Sequence, residues 1–417
     1  MADETVATWA NLLREQRGPL VEAIKWTTVL MSEIERDMDH VNWDGEKVRV
    51  PMILAPLQGT AAITETTTLS TPRTVDTAKA FIDAAIVTIP ISFSTKLMNQ
   101  SRTGGGNSWA AVIPKKMELA EKAYKRVINE QMMGSGDALI AACFAAEGAS
   151  GGATQQIEVG PAANFHQLYE GRIVDVKNRT TGAVVGTGPV KILSYDEAAG
   201  MITVQYPDGT NTSFATATTD GVFIESSTRA PAGAIVSDAM QGLGEAASDT
   251  GTFQGLARST TPQWKALVDG NAGVGRDLNM PLLDKVERKL DSRAGDTPTF
   301  YLGDPAVIDR YQQGFTVQAQ WAGDTGQLET GWTGVRYRNK VLIRENDAPA
   351  KTLYGVHKED FRIYTLDDGP DWDEKDGSMF KRFSRALPLE AWLVWMLELG
   401  CHRCVSQARV NDLNQAA

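Results

Sequence analysis

Several groups of residues have the types and spacing to do chemistry. Gly148-Ala149-Ser150-Gly151-Gly152 fits G-x-S-x-G, in which a serine on a sharp turn attacks a carbonyl after a histidine takes its proton. That turn needs a strand before it and a helix after it, whereas the residues around Ser150 read as helix before and polar strand after. The chain has four histidines. His166 lies close behind the serine and His357 falls in a strand pattern, and neither assembles a Ser-His-Asp set. Gly270, Gly273 and Gly275 have the spacing of a phosphate loop, but Arg276-Asp277 stands where Lys-Ser/Thr must hold phosphate and magnesium. A flexible loop is expected there. Cys401-His402-Arg403-Cys404 offers C-x-x-C without the second ligand pair that zinc requires, so ordinary thiols are expected, and Cys143 reads as core within an apolar helix. The acidic run from Asp367 to Gly377 departs from an EF-hand, since Lys375 takes a ligand slot and Gly377 comes one residue late. It reads first as a solvated turn and second as a weak cation or intersubunit charge site. Lys115, Lys116, Lys122, Lys125 and Arg126 make one side of a helix basic. Without interleaved aromatic residues that side suits solvent or a second subunit better than a nucleic acid. Each fragment lacks its partners, and no catalytic residue, cofactor or metal is expected. A serine hydrolase using Ser150 with His166 or His357 is the rival from the enzymes, and labelling by a fluorophosphonate probe, lost in Ser150→Ala, would revive it. A soluble binding module is a further rival, and it predicts a monomer.

The elements that would carry these groups can be read from periodicity. Val6, Trp9 and Leu13 recur at helical spacing, and Gly18-Pro19 separates that helix from a second with the stripe Leu20, Ala23, Ile24, Thr27, Leu30, Met31, Ile34 and Met38. Glu22, Lys25, Glu33 and Arg36 fall mostly outside the stripe. From Glu46 to Phe93 no helical period survives; Val87, Ile89, Ile91 and Phe93 alternate with polar residues, and Pro90 argues for an edge strand. Folded as one hairpin, arms of about 24 residues reach up to about 80 Å, which calls for a neighbour to lie on. A surface loop curled on its own domain is the alternative. After Gly104-Gly105-Gly106, the residues Met117, Ala120, Tyr124, Val127, Ile128 and Gln131 predict a helix of about twenty residues that ends at Gly134. The apolar run Ala138 to Ala146 should be buried. Strands are predicted at Arg172 to Val176, Val190 to Ser194, Met201 to Tyr206 and Val222 to Glu225, a small β-meander. Helices resume at Asn279-Met280-Pro281 and Asp304-Pro305, alternating with strands at Thr299 to Leu302, Val341 to Arg344 and Phe361 to Leu366. Met379 to Leu399 is strand-capable, although Leu393, Met396 and Leu397 also suit a helix.

A chain of 417 residues exceeds one core and implies two to four units at about 150 residues each. Apolar residues at 42% and charged residues at 22% exclude wholesale disorder. The formal net charge of -11 disfavours a dedicated nucleic-acid reader. Three cysteines cannot build a disulfide framework and fit a reducing compartment. Met1-Ala2-Asp3-Glu4 opens no signal peptide, no window holds about 18 uncharged apolar residues, and no membrane partner is expected.

The ordered set resembles the major capsid protein of tailed bacteriophages, the Hong Kong phage-type shell fold. Glu46 to Phe93 is similar to its extended E-loop, Trp109 to Met133 to its spine helix, and Leu328 to Gly355 to its axial strands; Trp372 to Cys404 resembles the return to its peripheral domain. The resemblance implies an α+β fold with an N-terminal helical arm over 1–45, the extended loop over 46–95 and a peripheral domain with the spine helix over 96–154. It further implies an inserted all-β domain over 155–228, an axial domain over 229–370 and the peripheral return over 371–417. It also implies a virion shell subunit that assembles with itself into hexamers and pentamers around a dsDNA genome held only non-specifically, with host cytoplasm as the place of assembly. Expected partners are a separate scaffolding protein, because fewer than about fifty residues precede the extended loop, a portal and a decoration protein. Inter-subunit contacts are expected at Thr64, Glu65, Arg73, Asp76, Lys115, Lys116, Arg126, Asp371, Asp373 and Lys375. No lysine lies between Lys47 and Lys79, so a shell without covalent cross-links is expected. The insert would project from the shell or brace it. The closest rival is an encapsulin-like compartment of the same fold enclosing cargo enzymes.

Overall fold

A computed structural model describes residues 29–34, 36–37, 47–55, 64, 75–93, 95, 112–160, 163–225, 239–316, 325–327, 333–366, 370–374, 377–382 and 389–416. The helices expected before residue 29 lie outside the described residues. Val29–Glu33 is helical; Leu30 and the following Ile34 are buried as the stripe requires, but Val29 and Glu33, outside the stripe, are buried too.

The long helix Val112–Met133 forms as expected; Tyr124, Ile128 and Met132 face the core at spacings of four, and Gly134 closes it by donating to the Gln131 carbonyl (3.0 Å). One face packs on a five-stranded sheet built around Leu389–Cys401. This thirteen-residue segment is a strand, so the helical option fails. Ala391, Leu393, Trp395, Leu397 and Leu399 alternate into the core because the strand pairs with Ala85–Phe93 along its first part and with Phe361–Thr365 along its last. Ala85–Phe93 keeps its other side without a sheet partner among the described residues, and exposed Pro90 sits on it as an edge strand allows.

A seven-stranded mixed sheet fills the later half, ordered Leu267–Asp269, Ala408–Val410, Leu353–Val356, Phe300–Gly303, Lys340–Arg344, Thr333–Tyr337 and Thr325–Gln327. The helices Met280–Ala294 and Pro305–Thr316 cover one face, burying Leu283, Val286, Val307 and Ile308 against Tyr301, Leu342 and Val410. Phe300, Leu302, Ile343 and Tyr354 on the opposite face join the core of the long helix. Burial on both sides explains why Phe300–Gly303 is a continuous hydrophobic run. Met280–Ala294 starts where Asn279 accepts from the Leu282 amide (3.0 Å) and stops at Gly295 in the left-handed region, φ 71°.

Asp269 ties that helix to the sheet. It accepts from Arg276 (2.7 Å), Lys285 (2.9 Å) and Lys289 (3.1 Å). Burial pushes its carboxyl up, but hydrogen bonds from the three cations outweigh burial and hold it at about 2. A depressed carboxyl stabilises above the unfolded value near 3.8 and loses that contribution as pH falls through the folded value near 2. Because both lysines are well exposed, Asp269→Asn is expected to cost only about 1–2 kcal/mol at neutral pH. Urea unfolding should show the wild-type advantage shrinking between pH 4 and pH 2, roughly the interval between its two pKa values; equal midpoints at pH 7 would remove this account.

The β-rich segment forms a six-stranded antiparallel sheet: Leu139–Ala142, Asp220–Ile224, Ile173–Asn178, Val190–Asp196, Met201–Gln205 and Gln155–Glu158. Val174, Val176, Val190, Ile192, Ile202, Val204 and Val222 make its own core. The four expected strands are present. The burial expected for Ala138 to Ala146 is corrected: Leu139–Ala142 is a strand paired to Asp220–Ile224, and the run is largely half-buried, with Phe144 67% exposed. Cys143 is buried, as expected, but beside a strand rather than in a helix.

Candidate functional site

The extended segment forms a ribbon whose far end is exposed. Lys47–Ala55 pairs antiparallel with Asp76–Asp83 in a two-stranded ribbon, from Lys47 opposite Asp83 to Ala55 opposite Asp76. Its root is anchored: Val48 and Ile82 pack with Tyr364, the Phe81 amide donates to the Gln254 carbonyl (2.8 Å), and Lys47 meets Asp83 (3.2 Å). Toward its far end burial fades, until Ile53 is 73% exposed. A groove of about 740 Å³ runs between Pro51–Leu54 and the body at Trp264 and Arg403. Four successive strand residues line it, so the ribbon turns an edge toward the groove. Two-stranded ribbons are marginal in water, and strand edges invite pairing.

The expected contact residues are placed as follows. Thr64 and Asp76 are exposed, Asp76 at the outer end of the ribbon. Glu65, Arg73, the side chain of Lys115, and Lys375 lie outside the described residues. Lys116 donates to the Ser92 carbonyl (2.9 Å) and stands 4.8 Å from the Phe93 ring, joining the long helix to the edge strand. Arg126 does not lie on a solvated basic face: it is buried, 3.9 Å from the Tyr169 ring, and donates to the His166 carbonyl (3.3 Å). Asp371 is exposed, and Asp373 pairs with Lys381 (2.7 Å).

The chemical motifs do not converge. A strand, Leu139–Ala142, and not a helix precedes Ser150, and the strand Gln155–Glu158 follows it. The Ser150 hydroxyl donates to the Thr154 carbonyl (2.6 Å), a loop-closing role. His357 instead meets Asp360 (3.0 Å), and His166 sits beside Arg126, where burial first and that cation second lower its pKa. The glycine loop is not the flexible segment expected: the Asn271 and Gly273 amides donate to the Asp412 carboxylate (2.7 and 3.0 Å), whose pKa these bonds lower. The loop is an anion cradle already filled from within the chain. Cys401 and Cys404 are buried free thiols. No group of three or more metal-ligating side chains occurs among the described residues.

Periodicity missed a polar junction beneath the long helix, where Asn129, Glu130, Arg172, Glu345 and Asp347 are all buried. The sequence signal was present in Asn129-Glu130, which interrupts the apolar stripe, but their partners lie tens to hundreds of residues away.

Neither a protein-family model nor a curated protein sequence matches the chain. Solved structures do. The capsid asymmetric unit of Cyanophage A-1(L) superposes with TM-score 0.57 and 12% identity, covering 99% of this chain and 100% of that one. The SrpI encapsulin of Synechococcus elongatus PCC 7942 follows at TM-score 0.49 and 10% identity, covering 100% and 99%. Mycobacterium phage Ogopogo follows at 0.45 and 10%, covering 98% and 99%. At the last two scores a superposition does not discriminate, and the first alone bears on the architecture. With the long helix, the extended ribbon and the two packed sheets in place, the end-to-end match to a cyanophage capsid chain shows that this protein has the α+β Hong Kong phage-type capsid fold.

Proposed function

We propose that the chain is the major head protein of a tailed phage, whose copies assemble as hexamers and pentamers into an icosahedral shell around double-stranded DNA. The observation that carries this reading is the ribbon Lys47–Ala55/Asp76–Asp83, anchored at its root and exposed at Ile53 beside an open groove. A second copy supplies the missing pairing and burial. Function resides in association, because many modest contacts repeated by symmetry stabilise a closed shell. The net charge of -11 keeps the protein from adhering to packaged DNA. The chain is a structural protein: Ser150 is committed to loop carbonyls, and no histidine of the described residues is among its hydrogen-bond partners.

Particles purified from producing cells should contain nuclease-protected DNA; particles filled with a protein cargo and free of DNA would instead establish an encapsulin-type compartment. The same particles, boiled in detergent, should run as a single band near 45.2 kDa. The ribbon's described lysines, Lys47 and Lys79, sit on its paired strands, and none lies between them in sequence. A ladder of linked subunits would contradict the non-covalent shell.

A further inference from the structure

The polar junction gathers three buried carboxyl groups, Glu130, Glu345 and Asp347, beneath the long helix. Asn129 Nδ2 donates to Asp347 Oδ2 (2.7 Å) and Glu345 Oε1 (3.4 Å), and Gln167 Nε2 donates to Asp347 Oδ1 (3.4 Å). Arg172 donates to Glu130 Oε1 (2.7 Å), and Arg126 lies over Tyr169 with its charge felt by Glu130, Asp347 and His166. The Val29 amide of the short helix bonds Glu345, and Glu33 is that helix's buried acid. Glu130, Glu345 and Asp347 thus face two guanidinium groups, Arg126 and Arg172, with His166 alongside. Glu345 is fully buried and, unlike Glu130 and Asp347, has no cation among the groups acting on it. Its Oε2 and the Asn129 Oδ1 are acceptors that meet no donor among the described residues. A proton on Glu345 cancels the unmatched charge and supplies a donor beside two acceptors, Glu345 Oε2 and Asn129 Oδ1, that otherwise meet none.

We propose that this junction is a single-proton site centred on Glu345, and that its proton lets the carboxyl stay buried uncharged where the short helix Val29–Glu33 meets the long helix. Burial first, and the Asp347 charge second, push Glu345 up to about 7. A carboxyl raised from 4.5 to about 7 contributes stability that is fully present below 4.5 and is lost as pH rises through 7. The joint therefore loosens on the alkaline side, independently of the shell reading.

The test is urea unfolding of the full chain from pH 5 to pH 8, wild type against Glu345→Gln, with the infrared carbonyl band of a protonated carboxylic acid recorded alongside. The wild-type folding constant should fall roughly 70-fold more than that of the variant across this window. The wild-type minus Glu345→Gln difference spectrum should contain the band at pH 6 and lose about nine-tenths of it by pH 8, the buried Glu398 carboxyl, also raised by burial, cancelling between the two proteins. Parallel pH profiles, or a difference spectrum without the band at pH 6, would overturn the proposal. If Glu345→Gln does not fold, Asp347→Asn removes the neighbouring charge and should move the midpoint of the band to lower pH; an unmoved midpoint overturns the proposal equally.

Discussion

Gly242→Ala is expected to abolish the folded subunit. Gly242 precedes the short helix Leu243–Ala246, which is docked on the last turn of the long helix. The Gly244 amide donates to the Gly134 carbonyl (3.1 Å), and the Met240 amide donates to the Gln131 side chain (3.3 Å). A methyl group on Gly242 would stand 2.5 Å from the Met132 and Gly134 carbonyl oxygens and closer still to that of Gln131. These are backbone atoms and cannot step aside as a side chain would. Overpacking against movable side chains costs about 1–3 kcal/mol, and rigid carbonyls place this case at or above that limit. A domain has only about 5–15 kcal/mol in total. The long helix is also the element to which the five-stranded sheet, the seven-stranded sheet and the six-stranded unit all attach, so displacing its end unsettles each. Soluble yield and the urea midpoint check this, with Gly148→Ala as the control, since a methyl there meets nothing within 4 Å. A wild-type midpoint for Gly242→Ala would contradict the packing described.

The second large effect separates folding from assembly. Ile53→Lys should leave the subunit as stable as wild type while preventing particles from forming. An exposed surface position usually tolerates substitution within about 0.5 kcal/mol, and Ile53 has little burial to lose. On the proposed shell reading the same side chain packs against another copy, where losing one well-packed anchor costs about 2 kcal/mol or more. Lysine on a strand edge also blocks pairing, the device by which natural sheets avoid association. Because the loss recurs at every copy, a moderate local cost becomes complete at the level of the particle. The unfolding midpoint and the particle count by electron microscopy are read on the same preparation. Normal particles from Ile53→Lys would show that the ribbon end is not an assembly contact.

How much of this was legible beforehand depended on how local the deciding interaction was. The long helix, the caps at Asn279 and Gly295, and the edge strand with Pro90 follow from periods of 3.6 and 2 and from neighbouring residues, and they were readable. The segment Leu389–Cys401 was ambiguous because its composition suits helix and strand alike; pairing with residues some three hundred positions earlier decides it. Leu139–Ala142 looks like buried apolar chain until Asp220–Ile224 supplies its partner. Arg126 belongs by spacing to a basic stripe, but the ring of Tyr169 draws it inward. The Asp412 carboxylate in the glycine loop arrives from about 140 residues away, beyond the reach of any motif. The ribbon itself was legible as extended chain, while its anchorage at Tyr364 and Gln254 was not.

Sedimentation velocity on the purified chain, with and without a candidate scaffolding protein, followed by negative-stain microscopy of the fastest fraction, bears most directly on the shell. The account predicts closed particles of uniform diameter that dissociate into subunits of 45.2 kDa in denaturant. A single slow species of one subunit, unchanged by raising the concentration and folded throughout, would contradict it.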